Sequence, residues 1–260
     1  MNDKSVYETI AVSDEGAVRT VALNRPQRHN ALSPVVVAEL RDALSRAAED
    51  EGVRVLLLCG NGKSFCAGAD LGGPDDSPTV EVLMDSTALF NQLEDFPKPT
   101  IAAVQGVACA GGLELVLACD LVVAEEDARI ADIHANVGLL PGTGGTYRLV
   151  RRVGPGVAAA MILTGDFMPV ADLKAAGLVN YIAGKGAARA DATTLALRIA
   201  AKSPLGLSQS KRLIRKAQEL AREEALEDAL EANRRHMRSH DYAEGLTAML
   251  EKRPPQFIGR

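Results

Sequence analysis

Apolar and polar residues alternate through YETIAVSDEGAVRTVALNRP, residues 7–26, and the alternation breaks at Asp14-Glu15-Gly16. That pattern predicts two short strands joined as a hairpin. Ser33 then stands ahead of Val36, Val37, Leu40, Leu44 and Ala47, the spacing of one buried helix face behind an N-cap. VRVLLLCG (53–60) and KPTIAAVQG (98–106) are continuous apolar runs that end in glycine, as strands buried on both faces do. Between them, NGKSFCAGADL (61–71) reads as a loop and GGPDDSPTVEV (72–82) as a polar insertion, either a mobile lid or disordered chain. A helix is expected from about Glu81 to Glu94.

The stretch GVACAGGLELVLACDLVVA (106–124) begins as a strand, breaks at Gly111-Gly112 and resumes as a helix. LVVAEEDARIAD reads as two short strands with a turn, and PGTGGTYRLVRRVG as a glycine-rich lead into a helix. From Val157 onward the pattern is mostly helical. Strand–loop–helix units followed by a helical tail predict an α/β core, residues 1–200, with a C-terminal helical subdomain, residues 201–260.

Composition narrows the function. The chain has 260 residues, enough for a sizeable core, and a net charge of -5 with 3% aromatic residues and no Trp. Neither a basic surface nor base-stacking side chains are on offer, so no nucleic-acid partner is expected. The charge is uneven, with 12 Lys/Arg against 9 Asp/Glu from Ala201 onward. A basic tail on an acidic protein suits either an anionic small ligand or a solvated helix face. Glu114 and Asp120 interrupt the longest apolar stretch, which is too short to span a membrane, and the first residues lack the apolar core of a signal peptide. Cys59, Cys66, Cys109 and Cys119 lack metal-ligand spacing and are expected to be reduced and buried, in a cytoplasmic protein without a metal site.

One residue resists this quiet reading. Glu114 sits among small and apolar residues, two positions after a glycine pair, where an ionised carboxylate is costly unless paired or useful. The first amides of a helix lack intrahelical partners and carry partial positive charge. A glycine at that point lets a ligand oxygen come close, so the Gly111 N–H is a candidate anion donor with Glu114 about one turn further on. FCAGADL repeats the arrangement after another buried strand. Two such donors converging on one oxygen would stabilise an enolate or tetrahedral anion.

LNRPQRHNALS, GNGKSFCAGADL, VQGVACAGGLELVLACDLVVA, GLLPGTGGTYRL, LTGD and EKRPPQF occur in the order and spacing of the crotonase (enoyl-CoA hydratase/isomerase) superfamily, which the chain resembles from about Tyr7 to Arg260. The resemblance implies a spiral of ββα units whose C-terminal helices serve trimerisation or cover the active site, in a homotrimer or homohexamer. It implies an acyl-CoA thioester as substrate and no separate cofactor, since the CoA belongs to the substrate. It assigns the two oxyanion amides to Ala69 and Gly111. Ala67, Gly68, Asp70 and Leu71, with Arg28 and Ala31, fall along the CoA groove, and Glu114 falls on one of two catalytic glutamates. The second of these should stand at position 134, where RIADIHANVG has His134, two residues after Asp132.

That departure leaves three readings. His134 is the acid, with Asp132 on the same side of an extended segment favouring its charged form; or Glu114 acts alone as base and then acid; or hydration has given way to another acyl-CoA reaction. A buried histidine that merely shapes the pocket is the structural alternative. Hydration of a 2-enoyl-CoA is the leading expectation. Isomerisation, decarboxylation, retro-aldol cleavage, thioester hydrolysis or acyl-CoA binding without turnover are the rivals. Asp70 and Asp120 suit structural caps or packing features, Gly142, Gly144 and Gly145 a tight turn, and His29 the surface. Cys66 and Cys109 lack an evident base for thiol chemistry, and Lys252 and Arg253 suit either CoA phosphates or solvent.

Overall fold

The structure, a computed structural model, describes residues 7–71 and 79–260. The hairpin is formed by β1 (Ile10–Glu15) and β2 (Val18–Leu23), paired antiparallel. Helix α1 (Pro34–Glu49) starts at Ser33, whose hydroxyl accepts from the Val36 N–H at 3.4 Å. Then come β3 (Val55–Gly60), α2 (Val80–Glu94), β4 (Thr100–Val104), β5 (Val107–Cys109) and α3 (Gly111–Ala118). Residues 72–78 of the expected lid or disordered segment lie outside the described residues, and Val80 already belongs to α2.

β6 (Leu121–Glu125) and β7 (Arg129–Ala131) lead to α4 (Gly145–Thr164), which is broken at Gly154. α5 (Val170–Ala175), β8 (Tyr181–Ala183) and α6 (Ala188–Ala200) complete the core, and α7 (Pro204–Lys216), α8 (Arg222–His236) and α9 (His240–Glu251) form a helical C-terminal part. No helix among the described residues is long and apolar enough to cross a membrane.

The six-stranded sheet runs β1-β2-β3-β4-β6-β8, parallel from β2 onward. Its apolar runs follow from burial on both faces. Val55, Leu57 and Cys59 of β3 point to the side covered by α6, whereas Leu56 and Leu58 point to the side covered by α1, α2 and α3. β6 and β7 do not form a hairpin: β6 joins the large sheet, while β7 pairs in parallel with β5 in a second, two-stranded sheet. The pairs β4–β5 and β6–β7 thus each give one strand to each sheet. The inner ladder continues as single parallel bridges, Cys66 with Ala108 and Leu32 with Ala69. This stacking brings the NALS, CAGAD and ACAGG segments side by side.

Candidate active site

The backbone pairing of FCAGADL fixes where Ala69 can donate. The Leu32 N–H donates to Gly68 O at 2.8 Å, and the Asp70 N–H donates to Leu32 O at 3.0 Å. Successive peptide groups in extended chain face opposite ways, so the Ala69 N–H is turned away from Leu32. On the neighbouring segment, Ala110 is held at φ 49°, ψ -121°, a conformation few non-glycine residues adopt, and α3 begins at the next residue. Among the described residues, neither the Ala69 nor the Gly111 N–H donates to an internal acceptor. The two segments touch: a Cβ placed on Gly68 would lie 3.3 Å from the Gly111 nitrogen, and one placed on Gly111 would lie 3.8 Å from the Ala69 nitrogen. Gly112 makes the approach possible, because a Cβ there would sit 2.1 Å from Cys66 O.

Glu114 lies in the first turn of α3 and is 3% exposed. It is held from the far side by the start of α4. The Gly145 N–H donates to Oε1 at 2.9 Å, and the Thr143 hydroxyl donates to Oε2 through a very short hydrogen bond. A side chain at position 145 would collide with the carboxylate, since its Cβ would fall 2.7 Å from Oε1. The glycines of PGTGG therefore do more than turn the chain, and Thr143 was not identified from sequence at all. The signal was available: a buried carboxylate needs donors, and a helix start rich in glycine supplies them. Burial pushes the Glu114 pKa up, against the Thr143 hydrogen bond, the positive charge of His134 and the Gly145 amide; the net shift is upward.

His134 opens a 3-10 turn, His134–Val137, and Asp132 is 1% exposed just after β7. The segment is not extended as expected, for Ile133 has ψ 7°. The turn itself brings the pair together: Asp132 Oδ1 accepts from the His134 N–H at 3.2 Å and lies 2.7 Å from Nδ1. Burial pulls the imidazole pKa down, but the Asp132 hydrogen bond, its charge and that of Glu114 outweigh it, so His134 holds a proton more tightly than a free histidine.

The residues expected along the CoA groove also gather. Asp70 forms ion pairs with Arg28 at 2.9 Å and Arg25 at 2.8 Å, an ionic clasp between the two segments. Arg25 also donates to Ala31 O at 2.9 Å, Ala67 N–H to His29 O at 3.0 Å, and Leu71 is half exposed beside them. Asp120 plays the packing role among the two expected for it: it accepts from the Thr100 N–H at 2.8 Å and pairs with Lys211 at 2.8 Å. His29 is exposed, with Nδ1 at 3.0 Å from Ser64 Oγ. Arg253 is engaged by Glu244 and Glu251 at 2.6 Å each. All four cysteines are free and buried, and burial pushes Cys66 up to about 12 and Cys109 up to about 11, so neither is a ready thiolate. A cavity of about 340 Å³ opens at the other end of α3, between Leu117, Cys119, Arg152, Lys211 and Ile214, and none of the expected site residues lines it.

Comparison with known proteins agrees with this architecture. Residues 13–260 match the family model described as enoyl-CoA hydratase/isomerase. The 2,3-dehydroadipyl-CoA hydratase of Escherichia coli (strain K12) is 37% identical, covering 96% of this chain and 99% of its own. The human enoyl-CoA hydratase domain-containing protein 2, mitochondrial, is 38% identical over 96% of this chain and 88% of its own. Among solved structures, an enoyl-CoA hydratase from Bacillus anthracis superposes with a TM-score of 0.93 at 32% identity over 97% of this chain and 100% of that one. One from Mycobacterium smegmatis gives 0.90 at 37% identity over 96% and 99%. With the stacked ββα turns and the helical C-terminal part, these matches establish that the chain belongs to the enoyl-CoA hydratase/isomerase family.

Proposed function

We propose that this protein adds water across the 2,3-double bond of an enoyl-CoA, giving a 3-hydroxyacyl-CoA. The observation that carries it is the pair of N–H groups, Ala69 and Gly111, without acceptors among the described residues, on touching segments with a buried carboxylate one helical turn away. The thioester oxygen sits between those donors and gathers charge as C3 is attacked. Each donor of such a pair is worth ~3 kcal/mol in other enzymes. Glu114, oriented by Thr143 and Gly145, takes a proton from the attacking water. Its raised pKa makes it a better base than an ordinary carboxylate.

The CoA moiety runs past Ala67, Gly68 and Leu71, with Ala31 and the Arg28–Asp70 clasp alongside. The chemistry calls for no metal or redox cofactor, because the thioester supplies the carbonyl and backbone amides supply the electrophile. Exposed apolar residues on the C-terminal helices, Ile214, Leu226, Leu230, Met249 and Leu250, are in keeping with a homotrimer or homohexamer. Four free thiols suit a reducing compartment such as the cytoplasm.

The test is direct. Crotonyl-CoA is mixed with the protein, and loss of the conjugated ultraviolet band is followed together with the product mass. Wild type should consume the band with gain of one water, and Glu114→Gln should not. Absence of turnover across a panel of chain lengths, with tight CoA-ester binding retained, would replace hydration with simple binding. One observation favours an isomerase as second reading: His134 stands where the family's second carboxylate is expected, leaving one carboxylate to shuttle a proton. Gain of absorbance from a 3-enoyl-CoA, without water uptake, would establish it.

A further inference from the structure

Asp132 is a carboxylate at 1% exposure, and its hydrogen bonds among the described residues come from His134 alone, through the backbone N–H and the ring. Capping the 3-10 turn needs only the backbone contact at 3.2 Å. The closer contact, 2.7 Å, is to Nδ1. A carboxylate accepts only, so Nδ1 carries the proton in this pair and Nε2 is the nitrogen left over. Nε2 has no hydrogen-bond partner among the described residues, the ring is 12% exposed, and the Glu114 charge reaches it.

We infer that Asp132 and His134 form an acid–base dyad in which His134 Nε2 delivers the proton to C2 of the acyl thioester, while Asp132 is the positioning residue that fixes the ring. The inference rests on the hydration reading and deepens it. Water loses a proton to Glu114 as its oxygen bonds to C3, and the C2–C3 π pair moves into the thioester as an enolate. His134 starts as the imidazolium, with protons on both Nδ1 and Nε2, and the enolate reforms the carbonyl while C2 takes the proton from Nε2–H. The ring is left neutral at Nε2 and regains, through solvent, the proton Glu114 took, so one water is added in all. A glutamate at this position would need no orienting partner. The imidazole does, because only one of its two nitrogens can face the substrate.

The test compares H134Q, D132N, H134E and D132N/H134E in the full chain, with kcat and KM for crotonyl-CoA. Solvent exchange of the C2 protons of butyryl-CoA in D2O and nitrogen-15 spectra of the histidines accompany them. H134Q is expected to lower kcat ~100-fold or more with little change in KM, and D132N ~10- to 100-fold with a changed His134 tautomer signature. In the H134E background, adding D132N should cost little, since no ring remains to be oriented. Equal cost of D132N in both backgrounds, or unaltered kcat and C2 exchange in H134Q, overturns the dyad. If D132N fails to fold, H134Q and the nitrogen-15 spectrum of wild type decide. If wild type exchanges C2 protons but hydrates nothing, the hydration reading falls while the dyad stands or falls on whether H134Q slows the exchange.

Discussion

Two buried carboxylates in this chain face opposite ways in energy. Glu114 is 3% exposed and Asp241 is 1% exposed, and both sit in the first turn of a helix. Burial alone would raise both. At Asp241, however, the Ser203 hydroxyl donates at 2.6 Å, and the Ile258 and Gly259 N–H groups at 2.8 and 3.1 Å. Those donors hold its pKa below the ordinary carboxylate range. Glu114 has one hydroxyl and one amide, with the negative charge of Asp132 also acting on it, and ends above that range. A carboxylate with enough donors is a knot that fastens the last residues to α9. One with too few holds a proton more tightly than an ordinary carboxylate.

Breaking each carboxylate should therefore separate activity from stability. E114Q is expected to lower kcat for crotonyl-CoA by ~10³- to 10⁴-fold in steady-state assays, the largest effect here. Its thermal midpoint at neutral pH should not fall, and should rise if anything. A carboxyl whose folded pKa is raised opposes folding above its unfolded pKa, and the amide removes that opposition. D241N should do the reverse: a loss of ~2 kcal/mol in denaturant unfolding, with kcat retained at temperatures where the chain is folded. Asp241 is depressed in the folded state, so its stabilisation is complete above the unfolded carboxyl pKa and disappears as pH falls through the folded one. The gap between D241N and wild type should thus narrow in acid.

A smaller change sharpens the contrast from within the site. The Thr143 hydroxyl lowers the Glu114 pKa, so T143V should raise it further and move the acid limb of the kcat/KM profile to higher pH, with turnover reduced ~10-fold near that limb. With the proposed dyad, the alkaline limb follows His134, whose neighbours in charge are Asp132 and Glu114. It should lie above the ordinary imidazole range in wild type and fall toward it in D132N. A profile whose alkaline limb is unmoved by D132N would assign that limb to another group.

Patterning made the hairpin, α1, β3, β4 and the Gly111-Gly112 break legible, because each depends on near neighbours: an alternation, an N-cap, an apolar run, a missing side chain. Glu114 was legible as an anomaly, a charge in an apolar frame. The partners that give it meaning were not. Gly145 is 31 positions away and acts through its backbone N–H, which no sequence displays. The pairing of Arg25 and Arg28 with Asp70 joins segments far apart in the chain, and nothing in RIADIHANVG displays the turn that joins Asp132 to His134.

The sequence by itself determined which residues are apolar, where the backbone can bend and which few side chains carry charge into the interior. Local sterics and water's aversion to apolar surface act on each segment wherever it lies. Only the tertiary structure decided that β5 and β7 form a second ladder beside the main sheet, that the Ala69 and Gly111 amides come side by side, and that Asp132 meets the His134 imidazole. Those outcomes depend on how successive ββα turns stack, and a contact between distant segments exists only once the chain has closed around it.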